Sequence, residues 1–203
     1  CFDLKSGQKT DSILCAQPDN PDGYLGDMVL SRDGSVLYVC DQSNFQLLVA
    51  DIGSHRVINR IPTGRYPFGV ALSPDQKTVY VANVGMFEYQ PLKPAIAAGA
   101  NTKGADFPTS AYGSEEMKTG YSANGHEVPA LGDPNAPESF SVWAIDLTRA
   151  VPAVSKKIKT GFLVGEKIEG IPAVGGSSPN SLVASNEYVF VSNGNNDCIS
   201  VID

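Results

Sequence analysis

Residues 67–83 read PFGVALSPDQKTVYVAN, a pattern typical of two short strands joined by a tight turn. Pro74 fixes φ for the turn, and the Asp75 side chain can accept hydrogen bonds from nearby backbone N–H groups. The same pattern recurs as DMVLSRDGSVLYVCD at 27–41 and, more loosely, as SLVASNEYVFVSN at 181–193. The chain is therefore built from repeats of one strand–turn–strand unit.

A second motif, an apolar run ending in aspartate, follows each unit. It reads LVAD at 48–51, WAID at 143–146 and SVID at 200–203, and CFDL at 1–4 has a similar form. Further apolar runs come after the first two copies of this motif and predict a fourth strand in each repeat. Four short strands in a repeat of about 40 residues are typical of a β-propeller blade.

We predict an all-β fold, a partial β-propeller of four-stranded antiparallel blades. Strands are expected at 1–4 and 9–16 in the first segment. A propeller typically needs four to eight blades to close, so we expect the chain to be a fragment of a larger ring. Open edge strands predict self-association. The expected segments are the end of a blade at 1–20, a blade at 21–66, a blade at 67–161 and an incomplete blade at 162–203.

An insertion at about 85–138 interrupts the blade at 67–161, between its second and third strands. A loop of this length in a compact domain is usually functional or disordered. The insertion shows no helical or strand periodicity, but its aromatic residues and prolines argue against disorder. We therefore expect an ordered cap on one face of the ring, carrying the aromatic residues Phe87, Tyr89, Phe107, Tyr112 and Tyr121.

The composition narrows the classes of partner. The 203 residues carry 15 basic and 22 acidic side chains, a net charge of −7, without a basic cluster beyond Lys156 and Lys157. Nucleic acid is therefore not expected as a partner. Because no apolar run approaches the roughly 18 residues of a membrane helix, no membrane span is predicted. The four cysteines show no C-x-x-C spacing, and Cys40, at a repeat position of small residues, is predicted to be buried.

The insertion carries the first candidate ligand-binding residues, His126 and Glu127. A histidine beside a carboxylate can exchange protons or hold a metal, and the alternative is an ordinary loop histidine. A metal site normally takes three or four ligands, and only Asp133 and Glu138 lie near in sequence. We therefore predict no catalytic set, no metal site and no cofactor, and keep His126 and Glu127 as candidates for binding a ligand.

Polar residues at the ends of strands supply the other candidates. Asp41, Asn83 and Asn193 follow the second strand of each repeat at equivalent positions. They are interpreted either as a ring of polar groups lining a ligand face or as turn caps that form Asx hydrogen bonds. Arg65 follows the outer strand of the blade at 21–66. Its side chain is expected either at the channel mouth, in reach of an anion, or on the solvated surface.

The runs TVYVAN at 78–83, SPD at 73–75 and SVID at 200–203 resemble the YVTN-repeat β-propeller family. The resemblance covers the chain except the insertion, although the copies at 38–41 and 190–193 keep the pattern only loosely. It implies the same propeller fold that the repeats predict.

Three further segments resemble a bacterial subgroup of this family, in which the propeller precedes an alkaline-phosphatase-like phosphoesterase domain. They are ANVGMFEY at 82–89, GDPNAPES at 132–139 and GGSSP at 175–179. This resemblance implies an exported protein of the cell envelope, in the periplasm or at the cell surface, with its chemistry in a linked domain. No metal-binding set of the phosphatase kind maps onto these residues.

Three functions are compatible with these patterns. The first is a non-catalytic module for binding or scaffolding, which engages a linked phosphoesterase domain or an envelope partner. The alternative is a propeller enzyme of the lactonase or dehydrogenase type with its site on the central axis. The apolar first strands at 28–30, 70–72 and 182–184 count against that enzyme. The third is a purely structural surface-layer role.

Overall fold

Residues 1–17, 23–88 and 114–203 are described by the computed structural model. The chain forms two compact units, of which the second is inserted into the first along the sequence. Unit 1 comprises Cys1–Gly85 with Pro137–Asp203, and unit 2 comprises Met86–Ala136.

Short β-strands make up nearly all of the regular structure in the described residues, which confirms the predicted all-β class. In chain order the elements are β1 (Leu25–Leu30), β2 (Val36–Asp41), β3 (Gln46–Asp51), β4 (Arg56–Pro62), β5 (Pro67–Leu72), β6 (Thr78–Asn83), α1 (Glu115–Thr119), β7 (Tyr121–Ala123), β8 (His126–Val128), β9 (Ser141–Asp146), β10 (Ala153–Lys159), β11 (Lys167–Ile168), β12 (Ile171–Pro172), β13 (Pro179–Ala184), β14 (Val189–Asn193) and β15 (Cys198–Ile202).

In its described residues, unit 1 contains three antiparallel sheets of three or four strands and a separate two-stranded hairpin, β11-β12. Sheet one has the strand order β1-β2-β3-β4 and sheet two the order β5-β6-β9-β10, so both are four-stranded. Sheet three has the order β13-β14-β15. In each sheet every strand pairs with the next one of its repeat, which is the meander of a propeller blade. The prediction of a partial propeller with four-stranded antiparallel blades is therefore confirmed.

An aspartate holds the turn between the first and second strands of sheets one and two. Ser31 Oγ and the Ser35 amide donate to Asp33 Oδ1 at 2.7 and 3.0 Å, and Ser73 Oγ donates to Asp75 Oδ1 at 2.7 Å. These hydrogen bonds favour the ionised carboxylates and lower the pKa of both, that of Asp33 to about 2. The Lys77 amide also donates to Asp75 Oδ1 at 3.1 Å, which confirms the predicted hydrogen bond from the backbone to Asp75.

The core of unit 1 lies in two layers, each between consecutive sheets. Alternate side chains along β6 enter opposite layers, as the period of two in a strand requires. Cys40 is fully buried as predicted, and burial raises the pKa of its thiol. The first layer, between sheets one and two, contains Tyr38, Cys40, Leu47, Val49, Ile61, Val70, Val79, Val81 and Ile145. The second, between sheets two and three, contains Ala82, Val142, Val189 and Val191.

The N-terminal segment differs from its prediction. The strands expected at 1–4 and 9–16 do not form, and an isolated bridge pairs Phe2 with Lys9. The cause is local, because Asp3 Oδ1 accepts hydrogen bonds from the amide and hydroxyl of Ser6 at 2.6 and 2.7 Å and so turns the chain back. The expected junction between 1–20 and 21–66 lies outside the described residues.

Unit 2 contains regular structure that the prediction lacked. The helix α1 begins at Ser114, whose Oγ accepts a hydrogen bond from the Met117 amide at 3.3 Å. β7 and β8 form a hairpin whose two-residue turn, Asn124-Gly125, has positive φ at both positions. Of the aromatic residues expected in a cap, Tyr89, Phe107 and Tyr112 lie outside the described residues. In the part of the chain that is described, no helix is long and apolar enough to cross a membrane.

Candidate functional site

Three of the predicted polar residues lie along one edge of unit 1. Asp41, Asn83 and Asn193 each end the second strand of their sheet, opposite the first residue of the preceding strand. We call this edge the rim. All three side chains are buried, so at each of these positions the polar group faces other protein atoms rather than solvent.

Asp41 closes the turn that joins β2 to β3. Its carboxylate accepts hydrogen bonds from the Asn44 amide at 3.2 Å, from Asn44 Nδ2 at 2.8 Å and from Gln46 Nε2 at 2.7 Å. These contacts are the Asx capping pattern. The carboxylate therefore acts on its own hairpin.

Asn83 and Asn193 bridge the second and third strands of their sheets. Asn83 Nδ2 donates to Ser141 O at 3.1 Å, and Asn193 Nδ2 donates to Ser200 Oγ at 2.9 Å. The Oδ1 atoms of both asparagines are buried without a hydrogen-bond partner. Since each amide already ties two strands together, both side chains are structural elements of the rim.

A glycine packs directly against each of these asparagines. A Cβ on Gly64 would lie 2.7 Å from Asn83 Cγ, and one on Gly161 would lie 3.2 Å from Asn193 Cγ. Only a residue without a side chain fits at the first of these distances. The sequence signal is a Thr-Gly pair after the outer strand of sheets one and two, at 63–64 and 160–161, which the prediction did not use.

Arg65 is buried at the rim of sheet two instead of lying on the solvated surface. Its Nη1 donates to Ser139 Oγ at 2.7 Å, and its backbone amide donates to Glu138 O at 2.7 Å. Its carbonyl accepts a hydrogen bond from the Gly85 amide at 2.9 Å. The arginine therefore holds together the two points where the chain leaves and re-enters unit 1.

Two lysines of β10 contact the same residues, 138 and 139, that Arg65 contacts. Lys157 Nζ lies 2.8 Å from Glu138 Oε1 and 4.1 Å from the centre of the Trp143 ring, while Lys159 Nζ donates to Ser139 O at 2.5 Å. The hydrogen bond from Lys157 lowers the pKa of Glu138. The sequence signal is the spacing of two between these lysines, which places them on one face of a strand.

His126 and Glu127 lie in β8, within unit 2. Glu127 is exposed, and its Oε1 accepts a hydrogen bond from Ser122 Oγ at 2.5 Å across the hairpin. The side chain of His126 lies outside what the structure describes. In the described ranges, no group of three or more His, Cys, Asp and Glu residues is arranged to hold a metal ion.

A cavity of about 430 Å³ opens where the first strands of the three sheets begin. Asp27 and Asn180 supply polar groups to its lining, and Phe68 supplies an aromatic one. Gln42 also lines it, and this side chain is almost completely buried while its Oε1 has no hydrogen-bond partner. Sequence reasoning missed this cavity because it considered the apolar middle of each first strand and not its polar beginning.

The fold and its rim define a protein of the β-propeller class. No family model matches the chain, and no curated protein matches it. The chain is similar to the solved structure of Kuenenia stuttgartiensis hydrazine synthase, with 18% identity and a TM-score of 0.48 over 87% of this chain and 33% of that one. It is also similar to the β-propeller domain of Cps50 (Swd1) from Myceliophteria thermophila, with 10% identity and a TM-score of 0.35 over 90% of this chain and 52% of that one.

A third similarity is to U3-55K, with 11% identity and a TM-score of 0.32 over 89% of this chain and 52% of that one. The chain thus spans between a third and about half of these proteins.

Proposed function

We propose that this chain is a non-catalytic propeller module, part of a larger ring, that binds or scaffolds other protein domains. One observation carries the proposal: the polar side chains at the rim are used to build the sheets. Asp41 caps its own hairpin, and Asn83 and Asn193 each join two strands. These groups give the sheets defined edges, and none of them extends into solvent toward a substrate.

We further propose that the module is of the YVTN type and belongs to an exported bacterial protein, in the periplasm or at the cell surface. The support is the run TVYVAN at 78–83 and the segments at 132–139 and 175–179. On this proposal its partner is a linked phosphoesterase domain or another envelope protein. Self-association through open edge strands stays a prediction.

A turnover assay tests the non-catalytic part of the proposal. The purified chain is incubated with a phosphomonoester, a phosphodiester and a lactone, each with a chromogenic or pH readout. We expect no turnover above the buffer blank for the wild type, His126→Ala and Glu127→Gln. The matched control is His55→Ala, which removes the other histidine of the chain. Turnover that His126→Ala abolishes and His55→Ala preserves would overturn the proposal.

The coding frame on both sides of this segment tests the envelope assignment. We expect a signal sequence upstream of the segment and further repeats next to it. A metal-binding phosphoesterase domain should follow the repeats. A frame that holds repeats alone would remove the phosphoesterase link and leave the function to the ring.

The alternative, a propeller enzyme of the lactonase or dehydrogenase type, has one observation in its favour. The cavity of about 430 Å³ at the start of the first strands is lined by Asp27 and by Gln42, whose Oε1 atom has no hydrogen-bond partner. An enzyme using this cavity would lose its turnover in Asp27→Asn and in Gln42→Leu. The same panel of lactone and ester substrates therefore separates the two functions.

A further inference from the structure

The first strand of each sheet in unit 1 begins irregularly, at the same place of the repeat. The register with the second strand shifts within 25–28 in sheet one, within 67–69 in sheet two and within 179–181 in sheet three. Such a shift takes a residue out of the ladder and changes the direction of its side chain, and bulges of this kind are frequent beside functional sites.

The residues at these shifts line the cavity of about 430 Å³. Gly26, Phe68 and Asn180 are equivalent in the three repeats, because each follows the residue that pairs with the rim side chain of its sheet. One backbone feature, used three times, therefore gives the cavity a glycine, an aromatic ring and an amide. The volume lies within the range of about 300–1,000 Å³ that small-molecule sites occupy.

Gln42 is the polar group at this cavity that the fold does not explain. Its backbone amide donates to Tyr24 O at 2.9 Å, but the residue is only 2% exposed and its side-chain Oε1 has no hydrogen-bond partner. The equivalent residues of the other two sheets are Val84 and Gly194, so a blade does not require an amide at this position. Buried polar groups are normally hydrogen-bonded. An unpaired buried amide in the wall of a cavity therefore indicates a polar ligand.

Two glycines make room for this arrangement. A Cβ on Gly26 would lie 2.6 Å from Gln42 Nε2, so a larger residue would displace the amide. A Cβ on Gly69 would lie 2.8 Å from the carbonyl oxygen of Asn180, so β5 and β13 can approach each other closely only at a glycine. Both positions belong to the irregular starts of the first strands.

Asp27 and Asn180 place further polar atoms at the cavity. Asp27 Oδ2 accepts a hydrogen bond from the Val70 amide at 3.2 Å and Oδ1 accepts one from the Met28 amide at 2.9 Å. Each carboxylate oxygen can accept a second hydrogen bond. Asn180 Oδ1 accepts a hydrogen bond from Ser192 Oγ at 2.8 Å, which orients the amide and leaves Nδ2 as its donor. The lining therefore combines hydrogen-bond acceptors with donors.

Aromatic rings and the absence of positive charge complete the chemistry of the lining. Phe68 is 43% exposed and Tyr24 is 64% exposed, so both offer apolar surface to a ligand. No Lys, Arg or His is among the described residues that line the cavity. With the Asp27 carboxylate present, an anionic ligand is disfavoured. A hydroxyl group both donates and accepts hydrogen bonds, and the C–H face of a sugar ring packs against an aromatic side chain.

We propose that this cavity binds a neutral saccharide of one or two sugar units. Its hydroxyls donate to Gln42 Oε1 and Asp27 and accept from Asn180 Nδ2, and one sugar face packs against Phe68. An ammonium ligand would use the acceptors alone and leave the donors of Gln42 and Asn180 without a role. The inference goes beyond the proposed function, which concerns partner domains, and it requires no turnover.

Saturation-transfer difference NMR on the purified chain tests the proposal, with glucose, mannose, N-acetylglucosamine, maltose and cellobiose as probes. We expect at least one of them to bind with a Kd in the millimolar range or below, measured by titration. Gln42→Leu should raise that Kd by about tenfold or more, as the loss of a hydrogen bond to a buried group predicts. Its melting temperature should not fall, because the substitution removes an unpaired buried amide. Gln8→Leu, at an exposed glutamine outside the cavity, is the matched control and should keep the wild-type Kd.

Asp27→Asn and choline chloride separate a saccharide from a cation. The substitution removes the charge and keeps one acceptor oxygen, so it should weaken saccharide binding less than Gln42→Leu does. Binding of choline in place of the sugars, abolished by Asp27→Asn, would overturn the saccharide assignment in favour of a cation. If none of the sugars binds, or if Gln42→Leu leaves their binding unchanged, the proposal is wrong. The turnover assay and the coding frame test the proposed function independently of these results.

Discussion

The connection between the second and third strands differs sharply between sheets one and two. In sheet one the turn at 42–45 joins Asp41 to Gln46, whereas in sheet two all of unit 2 lies between Asn83 and Ser141. Both pairs of strands nevertheless keep the same register, because Asp41 lies opposite Gln46 and Asn83 opposite Ser141. The comparison teaches that side chains at the rim and the strand ladder define the pairing, and that the length of the connection does not.

Removing the cap of the short turn should have the largest effect. Asp41→Ala deletes three hydrogen bonds to a buried carboxylate, and bonds to charged groups contribute about 1.5–3 kcal/mol each in favourable cases. Because they share one acceptor, we expect a total loss of about 3 kcal/mol in the free energy of unfolding, measured by urea titration. Asp41→Asn, which keeps one acceptor oxygen, should lose less. Equal losses in the two variants would contradict the capping role.

The equivalent change in sheet two should have a smaller effect. Asn83→Leu leaves Ser141 O without its side-chain donor, and an unsatisfied buried group costs about 1–3 kcal/mol. We expect a loss of about 2 kcal/mol in the same urea titration. The matched control is Asn186→Leu on an exposed turn, which should stay within about 0.5 kcal/mol of the wild type. If both variants unfold alike, the rim asparagine is not what holds β6 to β9.

Deleting unit 2 tests whether the length of the connection matters. Replacing Met86–Ala136 by a short Gly-Ser linker keeps the contacts of Arg65 with Glu138 and Ser139, which lie in unit 1. Because the closure entropy of a loop changes slowly with its length, we expect a stability within about 2 kcal/mol of the wild type. The variant should unfold in one cooperative transition, and its folded state should retain the β-sheet signal of the wild type. Loss of that transition would show that sheet two requires unit 2.

The smallest effect is expected at the turns between the first and second strands, which lie at the edge opposite the rim. Substitution of the turn aspartate should have a similar effect in sheets one and two. The folded pKa of Asp33 is about 2, below the roughly 3.9 of a free aspartate. A carboxyl group whose pKa is lower in the folded than in the unfolded protein stabilises the fold at pH values above its unfolded pKa. This stabilisation is lost as the pH falls from about 4 to about 2. Asp33→Asn and Asp75→Asn should each flatten the pH dependence of the unfolding temperature in that window. A profile unchanged by both substitutions would contradict the role of these carboxylates.

Local chemistry explains which features could be predicted from the sequence. The turn residues Asp33 and Asp75 act on neighbours within a few positions, so their hydrogen bonds were predictable. The same logic would have found the hairpin at Asn124-Gly125, whose dipeptide favours a type I′ turn. It also explains the error at the N-terminus, where Asp3 captures the Ser6 amide and ends a run that otherwise resembles a strand.

The candidate site depended on contacts between distant parts of the chain. Arg65 is buried because Ser139, 74 positions away, accepts its hydrogen bond. The cavity beside Gln42 exists because Phe68 and Asn180, from two other sheets, complete its lining. No local pattern indicates such neighbours, so the sequence offered Asp41 and Arg65 as polar candidates without showing whether they face solvent or protein.

The amino-acid sequence alone specifies the period of the repeat, the turns and the side chains that share a face of each strand. These properties follow from backbone geometry and from residues close together along the chain. The tertiary structure decided which of those faces are covered. Tyr38 and Phe190 occupy the same position of the repeat, yet one is buried and the other exposed. A strand can present an apolar face through its sequence alone, but burial requires a neighbouring sheet to pack against it.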